Sequence, residues 1–337
     1  MLTDIRISCS PHISERLSTR SVMIDVIIGL APAMAAAGYY FRIRALILIC
    51  TCVISSVATE WLCNVIRKRP NSLGDFSAVV TGIILALSLP PRLPVWTAVV
   101  GSVFAVAIGK MVFGGLGANI FNPAMVGRTF LTASFGVLMT SWTVPATMDA
   151  AMPAIAQENI VHVKTQATPL AWSKLAIKNS LGADIYSEAQ FKATFTGEVG
   201  GCLGETSVIA LLLGGLYLLI RRTINFHIPL AVLVSAFVFA TIAYWKDSFA
   251  YVQPFFHLCS GGLLLCAFFI ATDPVTAPLT RRGMWIFGIG VGTITMLIRI
   301  VGEYPEGVMF SILLMNAVTP LIDRLCKRIP AGGKPSA

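Results

Sequence analysis

Ser77-AVVTGIILALSLPPRLPV-Trp96 and Ser260-GGLLLCAFFIATDPVTAPLTRRGM-Trp285 follow one plan. Each opens on a serine, runs apolar, breaks at proline and closes on a tryptophan. A glycine-rich apolar run with one base, Lys110 or Arg299, comes after each. Further on, Phe121-Asn-Pro-Ala-Met pairs loosely with Met315-Asn-Ala-Val. Proline removes a backbone donor and disfavours helix at the residue before it. The chain is therefore expected to unwind at Leu87-Ser-Leu-Pro90-Pro91 and at Ala271-Thr-Asp273-Pro274. Proline-broken apolar segments at matching points of two halves point to an inverted-repeat membrane fold, in which such breaks frame a central binding site. Turns at the ends of membrane spans would leave the same pattern.

The rest of the sequence fits a membrane solvent. Of 337 residues 56% are hydrophobic and 12% charged, and mean hydropathy is +0.79, whereas soluble domains carry about 25% charged residues. Apolar runs near the ~20 residues that cross a bilayer core recur along the chain. They predict about ten spans, near 21–40, 45–64, 76–89, 95–113, 123–140, 204–220, 228–244, 255–272, 284–301 and 307–323. The expected fold is all-α, a polytopic integral membrane protein of two inverted five-helix repeats. The polar first 20 residues lack the apolar core of a secretory signal.

The net charge of +9 is spread as short basic clusters between apolar runs, a topology signal rather than a nucleic-acid-binding face. Placing Arg67-Lys68-Arg69, Arg221-Arg222, Arg281-Arg282 and the Arg324–Arg328 tail in the cytoplasm satisfies the positive-inside rule. Both termini then face the cytoplasm, although Arg42, Arg44 and Arg92 go against the rule. The expected division is 1–140 as the first membrane half, 141–203 as an extracytoplasmic loop, 204–323 as the second half and 324–337 as a cytoplasmic tail. A polar loop of that length is uncommon without a purpose; a connector or a docking surface would serve.

The eight cysteines form no CxxC pair, which argues against an iron–sulfur or zinc site built by this chain alone. His12, His162, His227 and His257 are too scattered for a metal site. No GxGxxG follows a strand, so NAD binding is not expected. Asp25, Glu60, Asp75, Lys110, Asp273 and Arg299 lie in or near apolar spans, where charges are costly and often mark ion or ligand paths. Several stand close enough to a span end to snorkel into the interface.

Within the long loop stands His162-Val-Lys-Thr-Gln-Ala-Thr-Pro-Leu-Ala171, containing Thr165-Gln-Ala-Thr168. This element resembles the flavinylation site of the family that holds the Rnf complex protein RnfD and its relative in the Na⁺-pumping NADH:quinone reductase. His162 stands where that family usually has an acidic residue. The resemblance runs along the chain through Ser10-Pro-His, Asp75-Phe-Ser-Ala-Val-Val-Thr-Gly, Leu87-Ser-Leu-Pro-Pro, Asn122-Pro-Ala-Met-Val-Gly-Arg, Gly204-Glu-Thr-Ser, Ala271-Thr-Asp-Pro-Val-Thr and Tyr304-Pro-Glu-Gly.

The resemblance implies FMN esterified through its phosphate to the Thr168 hydroxyl by an external flavin transferase, with Thr165 as the upstream hydroxyl residue of the motif. It also implies a second, non-covalent flavin such as riboflavin within the bundle, partner subunits of an Rnf-type complex and electron relay between ferredoxin and NAD coupled to Na⁺ or H⁺ movement. The chain would be an electron-transfer component of a bacterial inner membrane, with the Thr168 loop periplasmic. Arg128 would help hold a flavin or pair with lipid phosphate. Asp273 is the acidic candidate for the ion path or the second flavin. A secondary transporter or channel for a small solute is the alternative function, and it needs no Thr-x-Ala-Thr element.

Overall fold

Ser18, Asn122, Ser207 and Thr280 each begin a helix by accepting, through the side chain, a hydrogen bond from a backbone N–H three residues on, at 3.2, 3.3, 3.3 and 3.1 Å. These are the residue types that satisfy the orphan donors of a first turn, and Pro123 after Asn122 adds the preset φ of a first helical position. The computed structural model describes residues 18–70, 72–142, 170, 195–197, 199–247, 251–302, 304 and 306–327.

Among the described residues the secondary structure is entirely helical. The first half holds α1 (Thr19–Ile66), α2 (Ser77–Leu87), α3 (Val95–Val106) running into a π turn (Ala107–Met111), α4 (Pro123–Ser134) and α5 (Gly136–Met139). The second holds α6 (Val208–Ile220), α7 (His227–Lys246), α8 (Pro254–Cys259), α9 (Leu263–Leu265) running into a π turn (Cys266–Ile270), α10 (Arg281–Ile300) and α11 (Val308–Leu325).

Two expected spans, 21–40 and 45–64, fall inside α1, whose backbone leaves helical geometry at Arg42 with φ 53°. A Cβ at Gly38 would lie 3.8 Å from Leu46 Cδ2, whereas eight residues of straight helix span about 12 Å. The two arms of α1 therefore fold back on each other. The expected span 255–272 is not one α-helix: Ser260 is extended and Gly261 has φ +67°, so α8 and α9 are separate pieces. The span expected at 123–140 breaks at Phe135, and the helix expected from 204 starts at Val208.

α1, α7, α10 and α11 are long and apolar enough to cross a membrane, and α2, α3 with its π turn, and α6 are shorter apolar helices. Their surfaces are as greasy as their core. Ile54, Trp61, Leu213, Ile242 and Leu314 are exposed while Leu30, Leu85, Leu87 and Phe287 are buried. A helix apolar on all sides belongs in lipid. The chain is thus a polytopic helical membrane protein. Close packing within it relies on small residues, as membrane helices do: a Cβ at Gly214 of α6 would strike the Gly29 carbonyl of α1.

Candidate functional site

The two proline breaks end their helices as expected, in different surroundings. At the first, Leu87, Ser88 and Leu89 are fully buried. The Leu203 N–H donates to the Leu89 carbonyl at 3.1 Å and the Gly204 N–H to the Leu87 carbonyl at 2.7 Å. Unwound backbone is thereby satisfied inside protein, the condition for such a break at membrane depth. At the second, Pro274 is exposed, and the Asp273 carboxylate accepts from the Val275 N–H at 3.2 Å and the Thr276 hydroxyl at 3.1 Å.

The segment drawn against the first break leads into a buried charged cluster. Arg128 of α4 donates to Glu205 and to the Cys202 thiol sulfur, both at 3.5 Å. Arg299, near the end of α10, donates to Glu306 at 3.1 Å and to the carbonyls of His257 at 2.7 Å and Ser260 at 3.1 Å. Glu306 also accepts from the Gly262 N–H at 3.1 Å. The two ion pairs converge: a Cβ at Gly262 would stand 3.3 Å from Glu205, 3.8 Å from Glu306 and 3.9 Å from Arg128. Burial alone pushes the Glu306 carboxyl up, but Arg299, Arg128 and the Gly262 N–H together hold it below the usual carboxylate range. Arg128 is 4% exposed and engaged with Glu205, so it faces protein rather than lipid headgroups.

A second cluster lies at the other end of α2, about 15 Å away at 1.5 Å per residue. Lys110, aimed inward from the π turn after α3, pairs with Glu60 at 2.7 Å and donates to the Ser77 hydroxyl at 2.6 Å. Ser72 donates to the other Glu60 oxygen at 2.6 Å and accepts from the Asn64 amide at 2.9 Å. Arg67 donates to the Met111 carbonyl and Arg69 to the Gly114 carbonyl. Two residues of the basic turn thus also fasten the end of that π turn. Asp25 is held separately by Tyr217, Thr223 and Arg221.

Beside Lys110 opens a narrow cleft with a cavity volume of about 60 Å³. Thr81, Asn119, Asn122, Thr272 and Asp273 supply polar groups, and Phe268 and Phe269 apolar wall. The Asn119 side-chain oxygen is buried without a hydrogen-bond partner among the described residues. Residues 87–91 do not line this cleft; of the two breaks it is the second, at Thr272, Asp273 and Pro274, that borders it. The two asparagine motifs do meet: the Asn122 N–H donates to the Asn316 side-chain oxygen at 3.1 Å.

Thr165 and Thr168 lie outside the described residues. Gly204-Glu-Thr-Ser and Tyr304-Pro-Glu-Gly carry Glu205 and Glu306, which the sequence does not mark as site residues because the partner of each lies far along the chain or across a break.

A polytopic helical membrane protein with two separate clusters of buried ion pairs and a cleft between its halves is the class that fold and site define. Residues 6–332 match the NQR2, RnfD, RnfE family, and the chain belongs to that family. It is 46% identical to the D subunit of the Na⁺-translocating ferredoxin:NAD⁺ oxidoreductase complex of Acetobacterium woodii, over 96% of this chain and 94% of that one. It is 42% identical to the D subunit of the proton-translocating ferredoxin:NAD⁺ oxidoreductase complex of Clostridium ljungdahlii, over 97% and 96%. Identity to the D subunit of the ion-translocating oxidoreductase complex of Stutzerimonas stutzeri is 40%, over 93% and 92%.

Proposed function

We propose that this chain is the D subunit of an ion-translocating ferredoxin:NAD oxidoreductase complex and relays electrons through FMN bound covalently at Thr168. The observation that carries this reading is likeness to named D subunits over nearly the whole chain, joined to the Thr165-Gln-Ala-Thr168 element. When bound, the flavin supplies the redox chemistry; the protein binds it, orients it and sets its electrostatic surroundings. A second flavin such as riboflavin is assigned to the cleft beside Asn119 and Asn122, lined by Phe268 and Phe269, which would have to widen to take it. Asp273 and Lys110 border the same cleft, so charge on that flavin and ion occupancy would be felt by the same residues. The ion is Na⁺ or H⁺.

The other subunits of the complex, an external flavin transferase and membrane lipid are its partners, in a bacterial inner membrane with both termini cytoplasmic and the Thr168 loop periplasmic. A fluorescent flavin band that survives SDS and disappears in Thr168→Val supports the electron carrier. A colourless chain co-expressed with its transferase supports a solute transporter instead. Labelling of a single cysteine at Ser173 on intact cells, in a background without accessible native cysteines, is expected. Protection there with labelling at a terminus would invert the topology.

A further inference from the structure

α3 and α4 run side by side in opposite directions. A Cβ at Gly109 would lie 3.0 Å from Pro123 Cα, one at Gly127 2.7 Å from Ala105 Cβ, and one at Gly101 2.4 Å from Leu131 Cδ1. Beside this seam, with Leu313 of α11 as a further wall, lies a groove with a cavity volume of about 390 Å³, within the range of small-molecule sites. Thr129 brings the one hydroxyl of an otherwise apolar lining. Phe104 and Phe130 stack toward one end, 4.0 Å between ring centroids, and Phe113 meets Phe121 edge-on at the other, 6.4 Å apart. From Pro123 to Ala133, α4 covers about 15 Å at 1.5 Å per residue, one leaflet's share of a ~30 Å hydrocarbon core. The end marked by Phe113 adjoins the basic turn after α1. Arg67 donates to the Met111 carbonyl, and Arg69 to the Gly114 carbonyl at 2.9 Å, which are two residues before and one residue after Phe113. A guanidinium has five N–H donors, so each keeps several to offer. Arg67, Lys68 and Arg69 are exposed, and none pairs with a carboxylate among the described residues. Ile66 and Val112, next to these contacts, are exposed and apolar, which sets the turn at a boundary between hydrocarbon and water.

We propose that the groove and the basic turn together bind one anionic phospholipid, with an acyl chain along Phe104, Ile108, Phe113 and Phe130 and the phosphate on Arg67, Lys68 and Arg69. Positive charge at one end of an apolar wall as deep as one leaflet is the chemistry of a phospholipid. Basic pockets beside membrane helices select acidic headgroups. A partner subunit's helix fits the space less well, since a helix 10–12 Å across fills about 1,200 Å³ or more over the same length. It would cover the groove without filling it. A lipid seated this way clamps the turn after α1 to the π turn from which Lys110 points inward.

The test is native mass spectrometry of the full-length chain, titrated in detergent with phosphatidylglycerol or phosphatidylcholine bearing the same acyl chains. One phosphatidylglycerol is expected to stay bound at detergent concentrations that strip phosphatidylcholine. Lys68→Gln removes a charge whose side chain has no ion pair among the described residues. It is expected to weaken phosphatidylglycerol about fivefold, the share of one basic residue at a membrane surface, and to leave phosphatidylcholine unchanged. Ala133→Trp fills the far end of the groove and touches no charge. It is expected to weaken phosphatidylglycerol by about as much again. In the assembled complex, phosphatidylglycerol with a diazirine in its acyl chain should label peptides spanning 104–113 and 121–133. Equal affinity for the two headgroups, a preference that survives Lys68→Gln, or labelling confined to other peptides overturns the site. Labelling of those peptides in the isolated chain but not in the complex gives the groove to a partner subunit's helix and overturns it as well.

Discussion

The two buried charge clusters differ in how completely they close on themselves. Around Lys110 the partners come from the end of α1, the turn before α2 and the start of α2, and both Glu60 oxygens are used. Around Arg299 and Arg128 the partners come from three separated segments, at 202–205, 257–260 and 306, and one guanidinium nitrogen has no partner among the described residues. A buried pair with all its hydrogen bonds satisfied behaves as a structural pin, costly to break and able to be replaced as a unit. A cluster assembled from distant segments instead ties those parts of the chain to one another, so its loss is felt at several places at once.

Breaking the Lys110 pin is expected to have the largest effect. Lys110→Met strands Glu60 in the bundle and should destabilise the fold by about 3–5 kcal/mol, measured as thermal unfolding in detergent. Adding Glu60→Leu should recover most of that loss, because a well-packed apolar pair avoids the desolvation cost. A Lys110→Met chain of wild-type stability would remove the distinction between the clusters. Asn122→Ala deletes a helix cap, with an expected cost of about 1 kcal/mol. It should also lower retention of any non-covalent flavin, assayed by extraction from the folded chain.

The smallest effect on stability is expected at Asp273. Asp273→Asn keeps one side-chain oxygen for the Val275 N–H and replaces the other with an amide N–H that can donate to the Thr276 hydroxyl oxygen, so unfolding should shift by under about 1 kcal/mol. Ion-coupled electron transfer by the assembled complex should fall while the flavin at Thr168 remains. Full turnover and an unchanged coupling ratio in that variant would make Asp273 a turn cap alone.

Much of this contrast lies beyond what a sequence displays. Helix starts at Asn122-Pro123, Ser207 and Thr280 are written in local chemistry, and so are the breaks before Pro90 and Pro274. The reversal at Arg42 has no glycine or proline to announce it. The π turn that carries Lys110 inward also lacks a local code. Lys110 and Arg299 stand out as charges among apolar residues, but Glu60 is 50 residues from Lys110 and Glu205 is 77 from Arg128. Such pairings are made by tertiary packing. The meeting of Leu170, Glu306 and Arg299 around the Gly261 position is likewise a property of three segments at once, and none of them marks it alone.

The central claim, a flavin carried by the chain at one threonine, is tested most directly by peptide mass mapping of the full-length protein co-expressed with its transferase. The account predicts an FMN-phosphoester increment on the peptide containing Thr168 and its loss in Thr168→Val, with the variant still present in the membrane. An unmodified Thr168 peptide in the wild type, or an increment that persists in the valine variant, would contradict it.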